Sequence, residues 1–343
     1  MNNNIYKLTN DNGLIVEFIS LGARINSVKI PINDSYIDII LGYDTVEECE
    51  KGDGYMGAIC GRVANRISNG QFPLDGKQIQ LNRNIKPNHL HGGEKGFHTK
   101  NWDVTKIAKD GYTSAYKLSI LSWDGDENYP GNLQVEVVYA LNNDNELLIE
   151  LDAATDKKTI INLTSHPYFN LAGIGSSNIL DHKLEINANH FTPMNEHMVP
   201  TGEMRKVVDT AMDFNNPVVL RECLVSDYEQ IELVGGLDHN WIINKKAGEL
   251  SFAARVTDSN SNRSVEVYTT QPGIQAYTAM HFDGTETGKG KIPIQAYAGI
   301  ALEAQNFPDA PNNSNFPSIE LDAGEKYRQT IIYKFKFEKY FDL

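Results

Sequence analysis

Alternation with a period of two residues constrains this chain more than any other feature. Leu133, Val135, Val137, Tyr139 and Leu141 take every second place among Gln134, Glu136, Val138 and Ala140. Leu147-Ile149-Leu151, Val265-Val267 and Ile331-Tyr333-Phe335-Phe337 repeat the pattern. Successive side chains of a strand point to opposite faces, so these runs predict strands with one buried face. Between them stand turn clusters such as Asp124-Gly125-Asp126, Asn142-Asn143-Asp144-Asn145 and Asp258-Ser259-Asn260-Ser261. Many short strands joined this way predict an all-β fold, a large antiparallel β-sandwich. Helical signals are few. The best is Ser226 to Leu233, one or two turns with Ser226 as cap and Glu229 three residues on. Neither a repeat nor a Pro/Ser-rich linker interrupts the chain, so residues 1–343 are expected to form a single domain.

The charge balance narrows the partners. The chain carries 31 basic and 45 acidic residues, a net charge of −14. Nucleic acid and anionic membranes both call for concentrated Lys/Arg, so neither is expected as a partner and a neutral small molecule fits better. The start, MNNNIYKLTNDNG, has neither the basic opening nor the apolar run of a secretory leader. No stretch approaches the ~18 apolar residues of a membrane span. Cys49, Cys60 and Cys223 are scattered and odd in number, which fits small hydrophobic residues in a reducing compartment. The cytoplasm is the expected location.

Two strand-like runs carry polar residues on one face. In I-I-N-L-T-S-H-P-Y, Ile161, Leu163 and Ser165 share one parity, and Asn162, Thr164, His166 and Tyr168 the other. Pro167 removes a ladder donor and predicts a strand end. In G-I-A-L-E-A-Q-N-F-P, Ile300, Leu302 and Ala304 alternate with Ala301, Glu303 and Gln305. Loop candidates join them. His91 lies in N-H-L-H-G-G, whose glycines permit close approach, and Asp238 in V-G-G-L-D-H-N-W. Asn65 and Arg66 lie in C-G-R-V-A-N-R-I, and Gln271 in T-T-Q-P-G. Each of these taken alone reads equally well as ordinary polar surface or turn chemistry, and one of Arg62 and Arg66 is expected simply at the surface. His89-x-His91 with Glu94 and His98 has the residue types of a metal site, as in the cupins. The spacing from His91 to Glu94 is too short and no later strand offers a closing histidine, so no metal is expected. A hydrolase elbow, a P-loop and a dinucleotide fingerprint are all absent.

Eight stretches taken in order resemble the aldose 1-epimerases, or galactose mutarotases. They are L-G-A-R-I at 21–25, G-R-V-A-N-R-I at 61–67, L-H-G-G at 90–93 and N-Y-P-G-N-L at 128–133. H-P-Y-F-N-L-A-G follows at 166–173, G-L-D-H-N at 236–240, T-T-Q-P-G-I-Q at 269–275 and L-E-A-Q-N-F-P-D-A at 302–310. The resemblance implies one large β-sandwich with an open groove. It implies His166 as general acid, Glu303 as general base, and Asn65, Arg66, His91, Asp238 and Gln271 as residues that bind an aldose. It implies interconversion of α- and β-anomers with no cofactor.

That chemistry sets expectations. An acid and a base addressing O5 and O1 of one sugar should have polar atoms within roughly 5–8 Å. A nearby carboxylate, Asp238 or Glu303 itself, should hold the imidazolium proton of His166. The alternatives are a hexose-phosphate 1-epimerase on the same fold, a carbohydrate-binding sandwich without catalysis, and a cupin-like sugar isomerase. A binding module would rely on exposed Trp platforms, whereas Trp102, Trp123 and Trp241 are all expected in the core.

Overall fold

The structure, a computed structural model, describes residues 5–52, 54–176 and 178–338. Its framework is two antiparallel sheets. The larger has nine strands, in the order Asp103–Ile107, Ser114–Ser122, Leu133–Leu141, Glu146–Thr155, Lys326–Lys336, Arg263–Thr269, Ser251–Asp258, Lys183–Ile186 and Val218–Val219. The smaller has six: Tyr168–Phe169, Ile300–Gln305, Gly273–Tyr277, Asp238–Ile243, Ala188–Thr192 and Arg205–Lys206. A four-stranded sheet begins the chain, from Ile5–Thr9 to Ser35–Asp38.

The predicted alternation builds the core. Leu133, Val135, Val137, Ile331, Tyr333 and Phe335 of the large sheet share one buried apolar cluster with Ile274, Ala276, Ile300, Leu302 and Ala304 of the small one. Two sheets that meet face to face over such a cluster make a sandwich. Each fully buried Val, Leu or Ile in it contributes roughly 1.5–3 kcal/mol. The opposite parity of the small sheet therefore points away from this core, and it carries Glu303 and Gln275.

Several expectations are corrected. The run from Ile160 to His166 is not one half-exposed strand. Thr159–Ile160 pairs with Glu320–Leu321, Thr164–Ser165 with Ile59–Cys60, and Tyr168–Phe169 with Ile300–Ala301. Pro167 does stand at a strand end: the pairing with Ile59–Cys60 stops at Ser165, and a new partner begins at Tyr168. Every residue from Thr159 to Leu171 is buried, so here the alternation does not separate an inside from an outside.

The helix near Ser226 covers Glu229–Val234, and Ser226 Oγ accepts from Tyr228 N–H before the helix begins. A reciprocal capping box occurs instead at Thr45 and Glu48, opening the helix Val46–Lys51. Trp102 and Trp241 are core residues, but Trp123 is 63% exposed just past the end of its strand. Neither Arg62 nor Arg66 is a surface residue. Arg62 is 2% exposed and donates to Ser122 Oγ and the carbonyls of Ser122, Trp123 and Pro130. Among the described residues no helix is long and apolar enough to cross a membrane; Met1–Asn4 lie outside them.

Candidate active site

Strand register brings the first pair together. Tyr168 stands opposite Ala301, so two residues outward His166 faces Glu303. His166 Nε2 lies 3.3 Å from Glu303 Oε1, and both side chains are buried. On the other side of Glu303 the register places Gln275, and opposite Gln275 stands Asn240. Three strands, with the link just ahead of Tyr168–Phe169, thus lay His166, Glu303, Gln275 and Asn240 in a row across the outward face of the small sheet.

Asp238, expected in a loop, opens the strand Asp238–Ile243, and Arg66 opens the short strand Arg66–Ile67; Asn65 and His91 come from loops. Arg66 Nη1 reaches Asp238 Oδ2 at 3.3 Å, and Gln275 Nε2 donates to Asp238 Oδ1 at 2.8 Å. Asn65 and His91 both have positive φ and clasp each other. Asn65 N–H donates to His91 Nδ1 at 3.1 Å, and His91 N–H donates to the Asn65 carbonyl at 3.1 Å. Asn65 Oδ1 accepts from the Arg66 N–H. The chain can lie this close because Gly92 follows His91, where an added Cβ would sit 1.7 Å from the Gly61 carbonyl oxygen. A ring whose Nδ1 accepts a hydrogen bond carries its neutral-state proton on Nε2. His91 therefore offers Nε2–H as a donor.

These groups line a cavity of about 680 Å³, with Tyr55, Tyr168, Tyr277, Phe282 and Met198 among its walls. Asn65, Arg66, His91, His166, Asp238 and Glu303 all face it. Gln271 does not. It is buried beneath the site, where its Nε2 donates to the Leu163 carbonyl and to Tyr327 Oη. The glutamine beside the site is Gln275, buried next to Asp238 and Glu303; among the described residues its Oε1 has no hydrogen-bond partner, nor have Glu303 Oε2 and His166 Nδ1. Gln275 was legible in G-I-Q-A-Y, where Ile274 and Ala276 take the core parity and leave Gln275 and Tyr277 on the outward face. Tyr55 had no comparable signal. Its ring lies 4.7 Å from His91, 4.6 Å from His98 and 6.4 Å from His166.

Two further expectations change. The separation of His166 and Glu303, the expected acid and base, is shorter than 5–8 Å, because two dry polar side chains relieve each other's burial by meeting. Nor is the imidazolium held by a neighbouring acid. Burial pulls His166 down to about 4, and the charge of Arg24 pulls in the same direction. Burial, with Asp238 adding to it, pushes Glu303 well above the carboxylate range. Burial also holds His91 neutral. Desolvation thus favours a neutral imidazole beside a protonated carboxyl, one proton shared between two groups.

The four-residue metal set does not assemble. Both ring nitrogens of His89 are taken, by the Asn82 carbonyl and Tyr129 Oη, and Glu94 is exposed. His91, His166 and Glu303 do place one ligand-type atom each within 4.8 Å of one another. The Nε2–H tautomer of His91 opposes ligation there, since its only lone-pair nitrogen already accepts from the backbone.

Sequence and structure comparisons give the chain its relatives. The family profile described as Aldose 1-epimerase matches residues 4–334. Galactose mutarotase of Bos taurus is 42% identical over 323 residues, 94% of this chain and 91% of its own. Aldose 1-epimerase of Haemophilus influenzae is 36% identical, over 96% of this chain and 94% of its own. The crystal structure of an aldose epimerase homologue from C. elegans superposes with a TM-score of 0.88 at 30% identity, covering 98% of this chain and 99% of that one.

Proposed function

The chain belongs to the aldose 1-epimerase family, and from that premise we propose that it is a mutarotase interconverting the α- and β-anomers of free aldohexoses such as galactose and glucose. The observation that carries the reading is the 3.3 Å approach of His166 Nε2 to Glu303 Oε1 on the wall of the cavity. In this reading Glu303 takes the proton of the C1 hydroxyl while His166 gives a proton to the ring oxygen O5. The C1–O5 bond breaks and C1 becomes an aldehyde. Rotation about C1–C2 presents the other face. His166 then recovers the proton from O5 as that oxygen attacks C1, and Glu303 returns one to O1.

The open-chain stage leaves a neutral imidazole and a protonated carboxyl, the distribution that burial favours at this site. Burial thus stabilises the open-chain stage, while ring opening itself starts from the ionised pair, Glu303 as carboxylate and His166 as imidazolium. Each positioned group is worth about 10²–10⁴ in rate, enough together for a reaction that water performs slowly. Arg66, His91 Nε2–H and Asp238, the last oriented by Gln275, would hold the hydroxyls, and charge-assisted bonds among them are the stronger kind. No electron or group changes hands, so the chemistry calls for no cofactor.

The reading includes one domain over residues 1–343 in a cytoplasmic setting, with a sugar as the partner and neither nucleic acid nor membrane. A core common to both large sheets and three buried free cysteines support it. The test is polarimetry of freshly dissolved α-galactose and α-glucose. Acceleration of the drift to the equilibrium rotation is expected, and a drift no faster than in buffer alone would sink the proposal.

A further inference from the structure

Arg24 lies under the site without lining the cavity, and it is 2% exposed. It opens the strand Arg24–Ile32, and its Nη1 donates to the Met56 carbonyl. Among the described residues no carboxylate lies within ion-pairing reach of it, and its Nε has no hydrogen-bond partner. Arg66, the buried guanidinium that does line the cavity, is neutralised by Asp238. An unneutralised buried charge is costly and needs a reason to persist.

The contacts around Arg24 lead to His166. Met56 belongs to the segment Tyr55–Ala58, which holds His166 on both sides of its backbone. Gly57 N–H donates to the His166 carbonyl at 2.8 Å, and His166 N–H donates to the Ala58 carbonyl at 3.0 Å. The segment is pressed against Arg24 and its neighbour: Ile25 N–H donates to the Gly57 carbonyl at 2.9 Å. At Gly57, where φ is +70°, an added Cβ would fall 1.8 Å from the Ile25 carbonyl oxygen and 3.3 Å from Arg24 Cγ. The same segment begins with Tyr55, whose ring lies against His91 and His98.

We infer that Arg24 is a positioning residue for the reaction: it fixes the Tyr55–Ala58 segment that clamps His166, and its lone charge acts on the imidazole from behind. The inference rests on the proposed roles of His166 and Glu303. The other ionisable groups facing the imidazole are Glu303 on the adjoining strand, Tyr168 two residues on, and Tyr55 and His91 from the loops. His91 is neutral, and Arg66, the cation that acts on Glu303 and His91, is paired with Asp238, so Arg24 is the unpaired positive charge that reaches His166. Its charge weakens proton binding at both His166 and His98.

Three variants separate the clamp from the charge. Arg24→Gln keeps a donor for the Met56 carbonyl but no charge, Arg24→Lys keeps the charge, and Arg24→Met removes both. In Arg24→Gln the pH–kcat bell should move to higher pH by about one unit, because proton binding at His166 loses a repelling cation. Arg24→Lys should leave the bell in place. Arg24→Met should also lower kcat by about tenfold to a hundredfold, with KM changed much less. Should Arg24→Met fail to fold, the Gln–Lys contrast still decides. The His166 imidazole, followed by NMR in wild type and Arg24→Gln, reads the charge without any turnover. An unmoved bell and an unmoved imidazole titration in Arg24→Gln overturn the inference. Absence of mutarotation in the wild type would instead overturn the functional reading, leaving the NMR shift as the judge of Arg24.

Discussion

Gln275 donates to Asp238 Oδ1 at 2.8 Å while standing directly opposite Glu303 in register, so one amide orients one carboxylate beside another. Gln271, four residues earlier, reaches Leu163 and Tyr327 instead. Gln275→Ala should lower kcat/KM by about tenfold to a hundredfold, the worth of a hydrogen bond to a charged group. Gln271→Ala should lower the melting temperature with little change in KM. The reverse pattern would return the substrate-binding role to Gln271.

Glu303→Gln keeps the shape of the proposed base but not its proton affinity, and His166→Asn removes the proposed acid. Each should lower kcat by about 10²–10⁴ with a smaller effect on KM. Steady-state polarimetry on both variants is the check. Near-normal kcat in either, with activity abolished in Asp238→Asn or His91→Asn, would mean that other residues move the protons.

Asp238, Asp283 and Glu286 line the cavity, against Arg66 already paired with Asp238. Such a field repels a dianion. Glucose should therefore be preferred to glucose 6-phosphate in kcat/KM, and a clear preference for the phosphate would select the hexose-phosphate alternative.

With Nδ1 of His91 accepting from Asn65 N–H, the nearest histidine–carboxylate set is a poor ligand set. Full activity should survive dialysis against a chelator. Loss restored by zinc or manganese would overturn this and revive a metal-dependent isomerase.

His239 is fully buried against Trp241 and Phe191, and burial lowers it to about 3. The unfolded chain, with a value near ~6.5, takes up this proton more readily than the fold does. Stability therefore falls as pH drops from about 6.5 towards 3, by about 2 kcal/mol from this residue at pH 5. Urea melts at pH 7 and pH 5 should show that loss shrinking in His239→Gln. Equal losses in both proteins would assign the acid sensitivity elsewhere.

Much of the framework could be read from the residues because a strand with one wet face writes its burial into the sequence. Leu133–Leu141 has the predicted limits, and Ile331, Tyr333 and Phe335 point into the core. The segment around His166 could not be read this way, since both of its faces are dry and the parity of Asn162 against Ile161 says nothing about solvent. Trp123 was misplaced because an apolar ring at a strand end has no alternation to place it. The site residues were suggested by motif, yet choosing between Gln271 and Gln275 needed the strand register, and the proton preference of His166 needed its burial. Arg24 stood in a quoted motif, but nothing local reveals that a charge has no counter-ion.

The Tyr168–Ala301 pairing has a consequence for how such a catalyst can change. Spacing between His166 and Glu303 is counted in whole residues, and a slip of one would turn one of them into the core. Their separation is in that sense digital, protected from gradual drift. The cavity's outer walls are loops, Tyr55 on one side and the turn around Phe282 on another, and loops accept insertion and exchange. Descendants of this chain can therefore vary which sugar they hold while the two proton-handling groups stay where the sheet counts them.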